Sequence, residues 1–379
     1  MKIAVDASNI RKGGGITHLV NLFKYLDIDK VDIDEIVLFS GLETLSAIAD
    51  KPWLIKINHS FLEKNLFWRV LWRHYKLPEM LVKYKCDVLF SPGSITVKTE
   101  LPIITISQNM LPFDKIEKQR YSIGRRLRYS LLKIIQTRSF NQSNGVIFLT
   151  HAHLDKVENE IGKIKARTII IPHGVEASFF QTTRHKDQSI DDSKHVFKWL
   201  YVSYVKPYKH QWNVVRAIMS LRNKGVNVKL DLVGPAYLPS LNHLKAVMQE
   251  CDPGSSFITY HGPKYGEELR NSLNQADGFV FASSCETFGQ VLIEAMASGL
   301  PIASSNIAVA QEVAQDCAEY FDPENTQDIA NAMNTIIQNA ARRQQSASRA
   351  REIASVYSPE YSANTTFKFI VEVAKESAR

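Results

Sequence analysis

Short apolar runs of strand length alternate along this chain with longer segments of helical periodicity, and a chain written that way has few folds open to it. In a first series the strand-like runs fall at 2–5, 35–39, 87–91, 103–107, 145–149 and 168–171, with a helix predicted over 16–26 and a long basic helix after 107. A second series places strands at 199–203, 229–234, 258–260, 278–281 and 302–304, with helical segments near 212–222, 241–250, 269–274, 307–313 and 329–338. Alternation of this kind implies α/β architecture with a parallel, doubly wound sheet. Between the two series lies a polar stretch, residues 181–194, rich in Thr, Asp, Ser and Lys, which reads as a linker. A chain of 379 residues is also too long for one ordinary core. The expectation is therefore two Rossmann-like domains, 1–180 and 195–357, facing across a cleft. At Ser358-Pro359-Glu360 a last helix begins with good capping chemistry, and over 358–379 it is expected to cross back to the first domain.

Composition narrows the function classes. The four cysteines, Cys86, Cys251, Cys285 and Cys317, are scattered with no CxxC pair, which indicates neither a disulfide framework nor a zinc site and fits a reducing cytoplasm. Met1-Lys2-Ile3-Ala4-Val5-Asp6 passes straight into a strand without a basic-then-apolar leader, and no run of about 18 apolar residues occurs. The net charge of +7 is unevenly placed: residues 61–140 hold 15 Lys+Arg against 6 Asp+Glu, a local balance of +9. In that stretch lie Phe67-Trp68-Arg69-Val70-Leu71-Trp72-Arg73-His74-Tyr75-Lys76 and a segment with apolar positions Ile123, Leu127, Leu131 and Ile134 beside Arg120, Arg125, Arg126 and Arg128. A basic amphipathic helix with aromatic residues suits an anionic membrane surface, and it equally suits a core helix with a solvated outer face. Nucleic acid is disfavoured, because no helix-turn-helix, zinc-finger or RNP-like motif accompanies the charge.

The densest chemistry is Glu286-Thr287-Phe288-Gly289-Gln290-Val291-Leu292-Ile293-Glu294, a segment placed between an apolar run and a helix that stops at Gly299 with Pro301 behind it. The spacing predicts a helix from about Phe288, so that Glu286 is a loop residue at its N-terminus and Glu294 lies inside it. With a rise of about 1.5 Å per residue the two carboxylates bracket a helix start, where backbone N–H groups and the positive dipole end favour an anion such as a diphosphate. The plainer alternative makes Glu286 a cap and Glu294 a solvated position. Ile293, Ala295 and Met296 argue against it for Glu294, since a carboxylate in an apolar helix needs a partner. A pair of sugar or ribose hydroxyls is one such partner.

Taken with Gly13-Gly14-Gly15 after the first strand, Ile171-Pro172-His173-Gly174-Val175, Pro207-Tyr208-Lys209-His210, Val233-Gly234-Pro235 and Gly299-Leu300-Pro301, this pair resembles a family 4 retaining glycosyltransferase of GT-B fold. The resemblance covers nearly the whole chain and is most specific in the second half. It implies that the C-terminal half holds a UDP- or GDP-linked sugar donor, with no metal or other cofactor. Glu286 would contact hydroxyls of the transferred sugar, and Glu294 the ribose. The segment Thr287, Phe288, Gly289 and Gln290 would meet phosphate or sugar, and Lys209 would neutralise the leaving diphosphate. Gly14 and Gly15 would let the backbone approach the donor. Two departures stand out. Where many relatives carry Gly-Arg this chain has Ser203-Tyr204, so either Lys206 replaces the missing cation or Lys209 acts alone. Where many carry a histidine after the strand at 103–107, it has Ser107-Gln108-Asn109-Met110, which offers only hydrogen bonds.

The reading that follows is a retaining, metal-independent hexosyltransferase with Glu286 and Lys209 as catalytic residues. It acts on a glycan or lipid-linked glycan in bacterial surface polysaccharide synthesis, in the cytoplasm or at the inner face of the membrane. A GT-B epimerase or phosphorylase and a non-catalytic GT-B subunit are the rival readings. Asp27-Ile28-Asp29 and Asp32-Ile33-Asp34 imitate a metal-binding DxD but read as a solvated connection, and His151-Ala152-His153 follows a Thr150 suited to helix capping, with no third ligand spaced to it.

Overall fold

A computed structural model describes residues 1–11, 13–93, 97–180 and 195–377, so the linker expected at 181–194 lies outside the described residues. The chain divides into two compact units. Residues 1–113, 123–174 and 357–379 form the first, and residues 114–122 and 175–356 the second.

The first unit is built on seven parallel strands: β1 (Lys2–Asp6), β2 (Glu35–Phe39), β3 (Leu54–Ile57), β4 (Val88–Ser91), β5 (Ile103–Ile106), β6 (Gly145–Phe148) and β7 (Arg167–Ile170). Their order is β3-β2-β1-β4-β5-β6-β7, with Ile3 in register with Ile36 on one side and Val88 on the other. Strands β4, β5 and β6 are buried along their whole length, which is why they read as continuous apolar runs. Edge strand β3 gave no such signal. It is half-buried, and Lys56 interrupts its apolar run to pair with Asp50 at 2.6 Å. The C-terminal helix Pro359–Ser377 lies in this unit against the helix Gly14–Tyr25 and against β4, β5 and β6. Ser358 caps it, accepting from the Tyr361 N–H at 3.1 Å while donating to Glu360 at 2.8 Å.

The second unit carries six parallel strands, β8 (Phe197–Val202), β9 (Val228–Val233), β10 (Ile258–Tyr260), β11 (Gly278–Phe281), β12 (Ile302–Ser305) and β13 (Ala318–Phe321), in the order β10-β9-β8-β11-β12-β13. Trp199, Tyr201, Ile218, Leu230 and Met333 are fully buried at its centre. The edge strand β13 and the helix Ala340–Ala354 were not legible: one exposes Glu319 and Tyr320 in part, and the other is mostly Arg, Gln, Ser and Ala.

Each sheet reverses its winding once, between β1 and β4 in the first and between β8 and β11 in the second. Loops leaving the carboxyl ends of such neighbouring strands diverge, and the crevice they leave is where open α/β sheets hold ligands. Each unit therefore has one place where chemistry is to be sought.

Candidate functional site

In the second unit that crevice is lined by the loops after β8 and β11. The first loop runs from Ser203 into the 3-10 turn Pro207–Lys209, and His210 follows in left-handed backbone with φ 50°. The second runs from Ala282 to Gly289 and feeds the helix Gln290–Ala297. The Ser284 N–H donates to the Tyr208 carbonyl at 2.9 Å, tying the loops together. Through that tie Lys209 and Glu286, far apart in sequence, form an ion pair.

Lys209 is buried, and the Tyr201 hydroxyl donates to its carbonyl at 2.6 Å. Its ammonium lies 5.3 Å from the centre of the Tyr208 ring and 5.8 Å from that of Phe281. An ammonium so enclosed depends on an anion beside it. Gly289, with φ 93°, is the residue before the helix, and a Cβ there would stand 3.3 Å from the Phe281 ring. Left-handed backbone at this point is glycine's territory. It also moves the helix start to Gln290, two residues later than the spacing suggested. Thr287 and the buried Phe288 occupy the turn between Glu286 and Gly289.

Glu294 sits one turn into this helix and is 9% exposed. Gln290 Nε2 donates to it at 3.2 Å. Burial pushes its carboxyl up to about 7, the Gln290 hydrogen bond opposing and the Glu176 carboxylate adding to the rise. Ser203 is buried with its N–H on the Val233 carbonyl at 2.8 Å. The ammonium of Lys206 lies over the Tyr204 ring at 4.6 Å and 3.4 Å from the Tyr208 hydroxyl. Glu286, Lys209, Ser203, Glu294 and the run 287–290 thus all belong to the second unit, whereas Gly14 and Gly15 belong to the first.

One part of this site had no signal in the sequence. Residues 114–122 sit with the second unit although the chain on either side of them belongs to the first. Glu117 accepts from the Ser284 hydroxyl at 2.8 Å, Ser284 is in turn 2.8 Å from His210 Nε2, and Arg120 pairs with Glu117 at 2.7 Å and with Glu324. Burial, then the Arg120 charge, lower His210 to about 4 against the pull of Asp322, so it is neutral at pH 7. Glu117, His210 and Glu324 bring ligand-type atoms within 4.8 Å of one another, with Arg120 bonded to both carboxylates. The only local hint was Asp114 three residues before Glu117, and that reports a helix cap, which Asp114 supplies at 3.0 Å.

The basic stretch 61–140 does not behave as one surface. Trp72 and Arg73 are buried, and Arg120 is committed to the ion pairs just described. The stripe Ile123, Leu127, Leu131 and Ile134 is, however, exposed by 74%, 67%, 57% and 51%, so it is not the inner face of a core helix. Asp27, Asp32 and Asp34 pair separately with Lys30, Lys375 and the chain's amino group. Thr150 caps the helix His151–Ile161 by accepting from the His153 N–H at 3.1 Å, and the fully buried His153 ring meets the Ser107 hydroxyl at 3.2 Å. All four cysteines are buried and unpaired as disulfides. Among the described residues no helix is long and apolar enough to cross a membrane.

Residues 181–353 match the family described as Glycosyl transferases group 1. An uncharacterized glycosyltransferase of Methanocaldococcus jannaschii is 22% identical over 275 residues, covering 68% of this chain and 65% of that protein. The chain spans less than two thirds of the length of the curated relatives it matches. In fold it is similar to sucrose-phosphate synthase from Thermosynechococcus elongatus, with a TM-score of 0.79 at 16% identity over 99% of this chain and 100% of that one. It is also similar to Anabaena HepE in complex with UDP-glucose, with a TM-score of 0.70 at 17% identity over 100% and 99% of the two chains. Residues 181–353 thus match the glycosyl transferases group 1 model, in a chain whose two parallel α/β sheets have the GT-B architecture.

Proposed function

We propose that the protein is a retaining glycosyltransferase that moves a hexose from a UDP- or GDP-linked sugar to a glycan or lipid-linked glycan, without a divalent metal, in the assembly of surface polysaccharide. The observation that carries this reading is the buried Lys209–Glu286 ion pair, held at the sheet's switch point beside the N-terminus of the helix that contains Glu294. Departure of a nucleoside diphosphate builds negative charge. The Lys209 ammonium and the helix N-terminus stabilise it at that position. Glu286 orients the sugar hydroxyls and steadies positive charge on the sugar as the glycosidic bond lengthens. The acceptor hydroxyl enters on the face the diphosphate leaves, and the leaving phosphate takes its proton, so that no side chain serves as base. Glu294 accepts the two ribose hydroxyls, which supply the partners its burial calls for. The HepE complex with UDP-glucose supports a donor of this class.

A thermal-shift screen with UDP-, GDP- and ADP-sugars tests the donor. A sugar nucleotide at 100 times its dissociation constant should raise stability by about 2.7 kcal/mol, and no shift with any of the three sinks the reading. The exposed stripe on the helix Ile123–Gln142, beside Arg125, Arg126 and Arg128, supports peripheral docking to an anionic membrane. Flotation with vesicles of phosphatidylglycerol should carry the protein upward at low salt and release it at high salt. Vesicles of phosphatidylcholine that float it equally would remove the electrostatic part of that claim.

A further inference from the structure

The crevice of the first unit has a different build. A cavity of about 1130 Å³ opens at the switch point between β1 and β4, lined by the residues that follow β1, β4 and β5 and by the helices Leu66–Leu71 and Ile123–Gln142. Among the described residues its charged lining is entirely basic: Arg11, Arg69, Arg73, Lys98 and Arg128, with His74 beside them, and no Asp or Glu. Arg73 is 4% exposed and stands on a single π-helical turn, Trp72–Lys76, a departure from regular helix that is frequent at functional sites. It donates to Asn9 at 2.5 Å and lies 3.8 Å from Asp6, while its Nε finds no hydrogen-bond partner among the described residues.

The neighbours repeat this pattern. Buried Nε and Nη2 of Arg11, Nε of Arg69 and Nε2 of Gln108 are also without acceptors among the described residues. Burial lowers the Arg69 guanidinium from its ordinary value, and the charges of Arg11 and Arg73 lower it further. The acids close by are Asp6 behind Arg73 and Glu63 on the Arg11 side, and neither reaches the cavity wall. Like charges gathered with spare donors around an open space are stabilised by an oxyanion that several guanidiniums share. Beside the amides Asn9, Gln108, Asn109 and Gln136 the wall is apolar, with Leu66, Val70 and Leu131 each at least half exposed at its helices.

We propose that this cavity binds a phosphoryl group of the acceptor, phosphate or diphosphate, on Arg11, Arg69 and Arg73, with Leu66, Val70 and Leu131 receiving an attached hydrocarbon chain. Gln108 and Gln136, whose amide ends include buried atoms without protein partners, then meet hydroxyls next to that group. The inference rests on the glycosyl-transfer reading for the word acceptor, and on the cavity alone for the phosphoryl group. Isothermal titration of the full chain with methyl phosphate, pyrophosphate, dodecyl phosphate below its micellar concentration and neutral dodecyl maltoside tests it, with UDP-glucose titrated separately.

Dodecyl phosphate should bind at least tenfold tighter than dodecyl maltoside, and Arg11→Gln/Arg69→Gln should weaken it tenfold or more. A pyrophosphate heat that disappears in the same double variant, with no gain from the alkyl chain, supports the phosphoryl site and assigns it to a soluble acceptor. Dodecyl maltoside binding as tightly as dodecyl phosphate overturns the proposal. So does phosphate binding that the double variant leaves unchanged while circular dichroism shows it folded. No thermal shift with UDP-, GDP- or ADP-sugars beside intact phosphoryl binding would sink the donor reading and leave this one standing.

Discussion

The two crevices occupy the same topological position and are made in opposite ways. In the second unit nearly every group of interest comes from two loops, 203–210 and 282–289, joined by one backbone hydrogen bond and continued by one helix. In the first, Arg11, the pair Arg69 and Arg73, Gln108 and Arg128 arrive from four separate segments and meet only because the sheet is wound as it is. The balance of charge differs too. The second crevice compensates its lysine internally with Glu286, whereas the first leaves several guanidinium donors without acceptors among the described residues. A self-compensated pair can release its partner to a substrate and recover it afterwards. An uncompensated cluster is built to be filled.

The sharpest way to break this comparison is to remove a member of the compensated pair. Lys209→Ala is expected to lower donor turnover by roughly 10²–10³, on the scale of losing one preorganised charge at a developing anion, with Glu286→Gln showing a loss of similar order. Arg69→Gln should instead raise the acceptor KM. Steady-state kinetics in both substrates separate the two. If the Lys209 and Arg69 variants fail in the same parameter, the division of labour between the crevices is wrong.

Glu294 gives a smaller effect with a defined sign. Its folded-state value of about 7 stands above the ordinary 4.5. Its contribution is therefore fully present below pH 4.5 and is lost as pH rises through 7. At about 1.36 kcal/mol per unit, the protein at pH 8 should be about 3 kcal/mol less stable on this account than at pH 4. Glu294→Gln removes that loss: urea unfolding should show the variant more stable than wild type at pH 8 and no better at pH 4. UDP-glucose affinity should rise from pH 6 to 8 in the wild type and stay flat in the variant. A wild-type affinity indifferent to pH across that range would mean that the carboxylate does not meet the ribose.

The same contrast explains what could be read from the sequence. Buried parallel strands announce themselves as apolar runs, so both sheets were visible apart from half-exposed β3 and β13. The Glu286–Glu294 segment was legible because its chemistry is contiguous, and the pairing of Glu286 with Lys209 was not, because it depends on Ser284 reaching Tyr208. Glu117 lies 167 residues from its partner Ser284, and no periodicity encodes a contact at that separation. Arg69 and Arg73 were noticed as charge, yet their spacing suggested a solvated or membrane-facing surface. The π-helical turn at Trp72–Lys76 and the burial of Trp72 bring Arg73 inward instead. Sequence pattern reports the local period faithfully, and the direction a side chain takes when that period slips is a tertiary property.

The finest test concerns Gly13 and Gly14, which open the helix Gly14–Tyr25. Gly13 has φ 68° and ψ −151°, a region open essentially to glycine, so Gly13→Ala should cost about 1–3 kcal/mol from backbone strain alone. Gly14 has no such demand, and a Cβ placed on it meets nothing within 4 Å. Gly14→Ala should therefore be neutral or stabilising by up to about 1 kcal/mol, because it restricts the unfolded chain. A residue whose side chain the fold would accept, and which is nevertheless glycine, points to something outside the fold that needs the space. If Gly14→Ala keeps its thermal midpoint and loses turnover, a ligand occupies that space. If both are unchanged, the glycine triplet is a turn, and the case for ligand contact in the first unit rests on the arginine-lined cavity alone.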